Sequence, residues 1–437
     1  MIKPEASARL RELPEDSCAS PVVALTLWDL TALAVNLIIG AGIFGLPSPV
    51  ARMLGVASPI AFVLCAIVAA LVVLCFAEVA SRFTETGGPY LYCRAIFGSF
   101  VSFEVGWCLW LARLTSFAAN SNLLLSYLAF FLPQAAGGVP RICILIFLPS
   151  ILAIINIRGV SSGAIFTDVC AILKIAALFL FAIAGLAFVD WTRFSNFSIP
   201  ANANWGGSIL LVLYAFTGFE SAVVPAAEVK NPRKAPGWAL ILALGICAAI
   251  YVAVQIVVVG TLPDPASSER PLADAAQKFF RPAGAGLISL LACVSVLGNL
   301  SGSALVAPRL TYAFAQRKDF PALFGKLHRR YGTPVTSIIL FSAASSILAI
   351  SGQFVWLAAV SVIARLTNYA VTCLALPLLR KRSSEPPPLK IPFGTVISVI
   401  ATALCVWLFS QATWSDLRVF GLASLAGALL YLARPRS

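Results

Sequence analysis

The amino-acid sequence predicts an all-α integral membrane protein with about 12 transmembrane helices. Of its 437 residues, 60% are hydrophobic and only 11% are charged, whereas an ordinary soluble domain carries roughly 25% charged residues. Long uncharged runs recur along the whole chain, and a spanning helix needs about 20 predominantly apolar residues. These runs do not alternate between apolar and polar positions, as strands of a membrane barrel do. The sequence therefore predicts helices, which bond their own backbone groups in lipid.

The uncharged runs give twelve predicted spans, and the shorter runs qualify once a flanking or interior charge such as Lys174 or Arg365 is admitted. The first 21 residues are polar, and the sequence gives no sign there of a removable signal peptide. The predicted spans are 22–52, 57–80, 99–132, 140–157, 163–189, 205–228, 237–261, 283–316, 334–351, 354–381, 391–411 and 416–433.

The positions of lysine and arginine predict the orientation of these spans. With both termini in the cytoplasm, 21 of the 31 lysines and arginines fall on the inner side and 7 on the outer side. Positive residues accumulate in cytoplasmic loops. We therefore expect a multi-pass plasma membrane protein, of the bacterial inner-membrane kind, with both termini cytoplasmic. The net charge of +13 follows from this topology, and no nucleic-acid partner is predicted.

The residue types that carry catalysis and metal binding are scarce or scattered. The 11 cysteines form no CxxC pair, and cysteines within apolar segments behave as small hydrophobic residues. A single histidine cannot build a metal site. No convergent set of nucleophile, base and metal ligands is recognisable. The sequence predicts no enzyme, no metal site and no cofactor.

Two of the predicted helices are interrupted. Span 1 carries three glycines and a proline within the eight residues from Gly40 to Pro47, and these residue types destabilise a helix interior. Span 6 has a second interruption at Thr217 and Gly218, directly before Phe219 and Glu220. Interrupted spans at corresponding positions of two halves point to the binding site of a transporter.

The broken ends predict the chemistry of the ligand. The second half of span 1 starts near Gly42 with unpaired N–H groups and can hold a carboxylate. The first half of span 6 ends near Phe216 with unpaired carbonyl groups and can hold an ammonium group. A zwitterion such as an α-amino acid satisfies both ends. The alternative is that the glycines only allow close helix packing, as small residues often do in membranes.

Four motifs resemble those of the amino acid–polyamine–organocation superfamily of amino acid permeases. The resemblance covers the chain from about Val22 onward, and the motifs occur in the order and spacing of that family. They are the first-helix signature (36–44), the sixth helix (216–220), the loop after it (228–234), and the connection from helix 8 to helix 9 (308–315, Pro321 and 332–334).

The resemblance implies a LeuT-like, five-plus-five inverted repeat with helices 1 and 6 discontinuous and two helices appended. It also implies secondary transport by alternating access. The predicted divisions are a cytoplasmic N-terminal segment (1–21), a first repeat with helices 1–5 (22–190), a second repeat with helices 6–10 (191–382), and helices 11–12 with a short cytoplasmic tail (383–437).

The resemblance further assigns substrate-binding residues. Amides around Ala41 and Gly42 would meet the substrate carboxylate, and carbonyl groups of both breaks would meet its ammonium group. An aromatic side chain of span 6 would lie over the substrate as a lid. Asn299 stands where arginine-handling relatives place a tryptophan, which argues against a cationic substrate. The predicted substrate-binding residues are Ile38, Gly40, Ala41, Gly42, Tyr214, Phe216, Thr217, Gly218 and Asn299, with the carbonyl groups of Ile38, Tyr214 and Thr217 accepting from the ammonium group and Tyr214 or Phe216 as the lid.

Ionisable groups within spans are functional candidates, because each costs at least about 2.5 kcal/mol at the bilayer centre. By the resemblance, the Lys174 ammonium stands in for a sodium ion, bonding a carbonyl near Ile38 and a hydroxyl such as that of Ser295. Glu220 is a candidate proton carrier. The alternatives are a snorkelling lysine and a structural hydrogen bond from Glu220 to the break. Arg113 and Arg365 are predicted to pair structurally.

These observations predict a permease for amino acids, and its predicted partners are the amino acid, protons and the lipid bilayer. The sequence predicts a neutral substrate, because Glu220 is the one acid beside the breaks. Transport is predicted to be proton-coupled or by exchange. The alternatives are a polyamine or basic amino acid antiporter, for which Glu104 is the acid to check, and a non-transporting amino acid sensor. Oligomeric state stays open, and Arg113 could pair with Glu104 or with Glu220.

Overall fold

The computed structural model describes residues 26–83, 88–158, 163–195, 199–222, 235–382 and 387–433. The predicted segment 1–21 and the motif at 228–234 lie outside these residues. Helices and turns account for the described part of the chain, which contains no strand. The helices are α1 (Leu27–Ile38), α2 (Gly42–Gly45), α3 (Pro47–Leu54), α4 (Ser58–Ser81), α5 (Gly88–Leu128), α6 (Gly138–Arg158), α7 (Gly163–Leu186), α8 (Thr192–Ser195), α9 (Trp205–Phe216), α10 (Phe219–Ala222), α11 (Ala235–Thr261), α12 (Pro271–Gln316), α13 (Val335–Ser351), α14 (Phe354–Arg382), α15 (Gly394–Ser410) and α16 (Trp414–Leu432).

The helix lengths agree with a membrane protein. Eight segments of the described chain are long and apolar enough to cross a membrane, and four more are shorter apolar helices. The predicted spans 57–80, 237–261 and 354–381 match α4, α11 and α14 to within two residues. Large apolar side chains such as Phe147 and Ile347 are exposed on the outer surface of the bundle, as expected for side chains that contact lipid.

Two long helices contain a break that places a short helix before the span. Gly98 in α5 has a φ of 84°, and Arg281 in α12 has a φ of 57°. Glycine adopts positive φ readily. The proline at 282 has no N–H group, so it cannot donate a helical hydrogen bond to the preceding turn. The predicted spans 99–132 and 283–316 start directly after these two breaks. The short helical segments before the breaks are an addition that the hydropathy pattern did not predict.

The core of the bundle is built from helices of both halves of the chain. Helix α14 packs along α5, and α11 packs along both α4 and α1. The two short segments α2 and α10 are enclosed by these longer helices, since α2 contacts α9 and α12 while α10 contacts α1, α5 and α11. Irregular backbone at membrane depth is tolerated where protein surrounds it. This packing therefore gives both breaks a protein environment.

Both predicted interruptions are present. Helix α1 ends at Ile38, and the amide of Gly40 donates to the carbonyl of Ile38 at 2.8 Å instead of continuing the helix. Helix α9 ends at Phe216, and Gly218 follows with a φ of 113°. A side chain at Gly218 would strike the carbonyl oxygen of Leu37. Glycine is thus needed there both for its conformation and for the close approach to α1.

Candidate substrate-binding site

The two interrupted helices touch each other at their breaks. A Cβ atom built on Gly42 would lie 2.7 Å from the Cα of Ala215 and 3.0 Å from its Cβ. Contacts this short cannot be accommodated by rotating a side chain, because the backbone of α9 is the obstacle. Gly42 therefore allows α2 to rest directly on α9, and the contact fixes the two breaks side by side.

Tyr251 on α11 contacts the backbone at both breaks. Its hydroxyl lies 3.1 Å from the carbonyl oxygen of Ile38 and 3.1 Å from that of Ala215, and its side chain is fully buried. Helix ends leave carbonyl groups without intrahelical partners, and a buried tyrosine hydroxyl needs a partner in turn. Sequence reasoning missed this residue. The available signal was a tyrosine within an otherwise apolar span.

A cavity of about 370 Å³ lies where the breaks meet. It extends from the unwound stretch of span 1 along α1 and α12, reaching Leu33 and Val306. Eleven of the twelve predicted site residues line it: Ile38, Gly40, Ala41, Gly42, Tyr214, Thr217, Gly218, Asn299, Lys174, Glu220 and Ser295. Phe216 is the exception, because its ring is fully buried and packs edge-on against Tyr251 at 5.1 Å between ring centroids. The structure thus brings Tyr214, and not Phe216, to the cavity.

A chain of hydrogen bonds closes one side of the cavity. The Tyr214 hydroxyl lies 2.9 Å from the Ser116 hydroxyl and donates to the side-chain oxygen of Asn120 at 2.6 Å. The Asn120 amide donates to the side-chain oxygen of Asn299 at 2.8 Å. The ring of Phe354 packs edge-on against Tyr214 at 6.0 Å between centroids. Side chains of four helices thereby form one wall, of which sequence reasoning had found Tyr214 and Asn299.

Two of the carbonyl groups that were predicted to bind the substrate ammonium group already accept hydrogen bonds from the protein. The Ile38 carbonyl accepts from the Gly40 amide and from Tyr251. The Tyr214 carbonyl accepts from the amide of Thr217 at 3.3 Å and from its hydroxyl at 2.9 Å. A carbonyl oxygen offers two lone pairs, so both groups are well satisfied without a ligand. Their role toward a substrate ammonium group stays a prediction.

Lys174 contacts the broken end of α1. Its ammonium nitrogen donates to the carbonyl oxygen of Asn36 at 2.7 Å, and the residue is buried. In a continuous helix that carbonyl would accept from the amide of Gly40, which here turns to Ile38. The contact is two residues before the predicted one near Ile38. Ser295, the predicted hydroxyl partner, lines the same cavity with a buried oxygen that has no hydrogen-bond partner.

Glu220 is held by three groups at the start of α10. One carboxylate oxygen forms an ion pair with Arg365. The other accepts from the Gly218 amide at 2.9 Å and from the Tyr369 hydroxyl at 3.2 Å. Glu220 and Arg365 are both buried. The sequence left open whether Arg113 pairs with Glu104 or with Glu220. In the structure Arg365 forms the ion pair with Glu220, and Arg113 lines the cavity.

The fold and the cavity define a class of protein. An all-helical bundle with spanning helices, two of them broken beside a cavity that polar and charged side chains help to line, is the architecture of a membrane transporter. The chain belongs to the amino acid permease family, whose profile matches residues 25–424. The resemblance to the amino acid–polyamine–organocation superfamily is thereby confirmed. The family consists of transporters and not of enzymes.

Relatives of this chain differ in the substrates that their names give. The chain is 29% identical to the methylthioribose transporter of Bacillus subtilis (strain 168), covering 94% of this chain and 93% of that protein. It is 28% identical to the branched-chain amino acid permease BcaP of Lactococcus lactis subsp. cremoris (strain MG1363), covering 94% of both. It is 29% identical to a putative arginine/ornithine antiporter of Bacillus subtilis (strain 168), covering 74% and 76%. Family membership alone therefore leaves the substrate open.

Proposed function

We propose that the protein is a secondary active permease that moves α-amino acids across the plasma membrane by alternating access. The observation that carries the proposal is the cavity of about 370 Å³ enclosed by the two helix breaks. Its volume falls in the lower part of the range for small-molecule sites, roughly 300–1,000 Å³. In this proposal residues 22–190 and 191–382 are the two inverted repeats, with helices 11 and 12 appended.

We place the α-carboxylate and α-ammonium groups of the substrate at the first break. The initial amides of α2, around Ala41 and Gly42, have no partner within the helix and suit a carboxylate. The unpartnered hydroxyl of Ser295 adds a polar group to the same cavity. The ammonium group is assigned to the carbonyl side of the breaks, with Thr217 among the lining residues.

The proposed orientation follows from the charge distribution along the chain. The loops that carry 21 of the 31 lysines and arginines are placed in the cytoplasm by the positive-inside rule. Both termini are then cytoplasmic. The cavity, which extends along the N-terminal part of α1 toward Leu33, faces the cytoplasmic side in this arrangement.

We expect uptake without sodium. The buried Lys174 ammonium already supplies a positive charge at the carbonyl of Asn36, so a sodium ion is not required at that place. Purified protein reconstituted into liposomes in sodium-free buffer is expected to take up or exchange labelled amino acids, tested singly with leucine, glutamine, glutamate and arginine. Protein-free liposomes are the control. Flux that appears only with sodium would contradict the role of Lys174, and ligand binding without any flux would favour the sensor alternative.

Replacing Lys174 by methionine is expected to lower the uptake rate by about tenfold or more. The variant keeps the length of the side chain but removes a charged hydrogen bond, and such bonds contribute about 1.5–3 kcal/mol. The readout is initial uptake in the same liposomes. Lys278→Met is the matched control, because Lys278 is exposed and outside the cavity. Equal rates in both variants would show that Lys174 is a structural lysine.

The cavity argues against the antiporter of basic amino acids or polyamines. Three cationic side chains, those of Arg113, Lys174 and Arg365, line it. A substrate with a second positive charge would meet them at close range in a medium of low dielectric constant. The neutral side chain predicted from the sequence is compatible with family membership.

A further inference from the structure

The connection between α12 and α13 presents a group of positive charges on the surface of the protein. Lys326, Arg329 and Arg330 are all exposed, and none of the three forms an ion pair with a described residue. The acid of this connection, Asp319, is buried and lies 4.0 Å from Arg94 in an ion pair. Residues 321–332, which we call the basic loop, therefore have a cationic surface.

The tip of the basic loop is an ordered turn. The amide of His328 donates to the carbonyl of Thr333 at 2.9 Å, and the amide of Gly332 donates to the carbonyl of His328 at 2.9 Å. Gly332 has a φ of 61°, which glycine adopts readily. All residues from 326 to 332 are exposed. The turn thus holds its positively charged side chains on the outside of the protein.

Both ends of the basic loop are fixed to the helix bundle. On one side the buried ring of Phe320 packs on Trp107 at 6.0 Å between centroids. On the other, the Thr333 hydroxyl donates to the carbonyl of Ile157 in the last turn of α6 at 2.9 Å. Because α12 and α13 are long apolar helices of the bundle, a segment that joins their ends lies at the surface of the bilayer.

Large apolar side chains accompany the positive charges of the basic loop. Leu323 is 55% exposed, Leu327 48% and Tyr331 37%. In water these side chains would lack favourable contacts, whereas at a membrane surface leucine enters the acyl boundary and tyrosine favours the headgroup region. Lysine and arginine combined with exposed apolar side chains are typical of a segment that lies in the membrane interface.

We propose that the basic loop binds anionic phospholipids, with Lys326, Arg329 and Arg330 at the lipid phosphates and Leu323 and Leu327 at the acyl boundary. In the orientation proposed above, the loop faces the cytoplasmic leaflet, where anionic lipids attract basic segments close to spanning helices. An acidic segment of a soluble protein would match the charges but not the position of the leucines at the bilayer surface. An anionic lipid matches both.

The test measures lipid binding to the purified full-length protein in detergent. A ligand that binds the folded state raises the temperature of unfolding. Phosphatidylglycerol is expected to stabilise the protein at concentrations about tenfold or more below those needed for phosphatidylcholine, which has no net charge. This preference is expected to fall when the salt concentration rises from about 0.05 M to about 0.5 M, because exposed charges are screened.

Neutralising the loop tests the residue assignment. The combined variant Lys326→Gln, Arg329→Gln and Arg330→Gln is expected to raise the half-saturating concentration of phosphatidylglycerol about tenfold or more, because each cation near the surface attracts the anionic headgroups. The three side chains are exposed, so the variant is expected to unfold at the same temperature as the unchanged protein when no lipid is added.

A control variant removes the same number of charges elsewhere. Lys278, Arg281 and Arg418 are exposed and lie outside the basic loop, and their combined replacement by glutamine is expected to change the half-saturating concentration less than about twofold. Replacing Leu323 and Leu327 together by serine is expected to raise it about threefold or more while the salt dependence remains, since apolar contact is lost and the charges are kept.

Three results would overturn the proposal. Equal stabilisation by phosphatidylglycerol and phosphatidylcholine would show that the charge of the lipid is not recognised. Equal affinity of the loop variant and the control variant would place the bound lipid elsewhere on the protein. Stabilisation by soluble polyglutamate as strong as that by phosphatidylglycerol would indicate an acidic polypeptide as the partner. The measurement requires no transport, so its failure is distinct from failure of the proposed permease.

Discussion

The single variants Glu220→Gln and Arg365→Gln are each expected to lose about 3–5 kcal/mol in free energy of unfolding, because each leaves one charge of a buried pair without its partner. Both residues are buried, and their side chains form an ion pair at the second helix break. The double variant removes both charges, so its loss is expected to be clearly smaller than the sum of the single losses. Denaturant unfolding in detergent, followed through a complete double-mutant cycle, measures this coupling.

An exposed ion pair in the same chain provides the control for this cycle. Arg193 and Asp190 are 3.6 Å apart in the connection after α7, where the Asp190 side chain is 52% exposed. Exposed pairs contribute little to stability because water screens them. The free energy of unfolding of Asp190→Asn is therefore expected to equal that of the unchanged protein within experimental error. If the losses of Glu220→Gln and Arg365→Gln simply add in the double variant, the two side chains do not interact and the description of the second break is wrong.

Most of the architecture could be predicted because its signals are local. The boundaries of α4, α11 and α14 follow from the length of uncharged runs, which the hydropathy of the sequence shows directly. The breaks after Ile38 and Phe216 follow from glycines that stand inside apolar segments. A helix break depends on the residues within a turn or two of it, so no knowledge of packing was needed.

The contacts of the site could be predicted only in part, because they depend on which faces of distant helices meet. The sequence identified Lys174 as a partner of the broken first helix but placed its contact near Ile38, two residues beyond the carbonyl of Asn36 that it reaches. It did not identify Tyr251 or Asn120, whose neighbours along the chain are unremarkable. Their polar atoms gain a role only when α5, α9 and α11 are packed around one cavity.

The charged groups that line the cavity could be predicted only in part, for the same reason. From the sequence, Glu220 is the one acid beside the breaks, and a neutral substrate is predicted for that reason. Arg113 and Arg365 lie on α5 and α14, which have no break near these positions, yet packing brings both into the cavity wall. The sequence allowed a structural pairing for them, and Arg365 does pair with Glu220. Only the assembled cavity shows which charged groups face it together.

Replacing Gly42 by leucine is expected to abolish measurable uptake while the protein still inserts into the membrane. The Cβ atom alone would approach the Cα of Ala215 to 2.7 Å, so α2 must move away from α9. Overpacking of this kind costs about 1–3 kcal/mol, which a bundle with many further helix contacts tolerates. The displacement falls on the stretch that carries Gly40 and Ala41, so the amides proposed for the substrate carboxylate are moved from their positions. Uptake in liposomes and the size-exclusion profile in detergent measure the two effects separately.

Gly245→Leu is the matched control for this variant. Gly245 is also a glycine within an apolar helix, α11, but a Cβ atom there meets nothing within 4 Å, and the position is exposed on the outer surface. The control is expected to keep both the uptake rate and the elution profile of the unchanged protein. If Gly42→Leu transports normally, the contact between α2 and α9 does not shape the binding site. The substrate would then have to bind away from the two breaks, and the cavity between them would lose its role in the proposed mechanism.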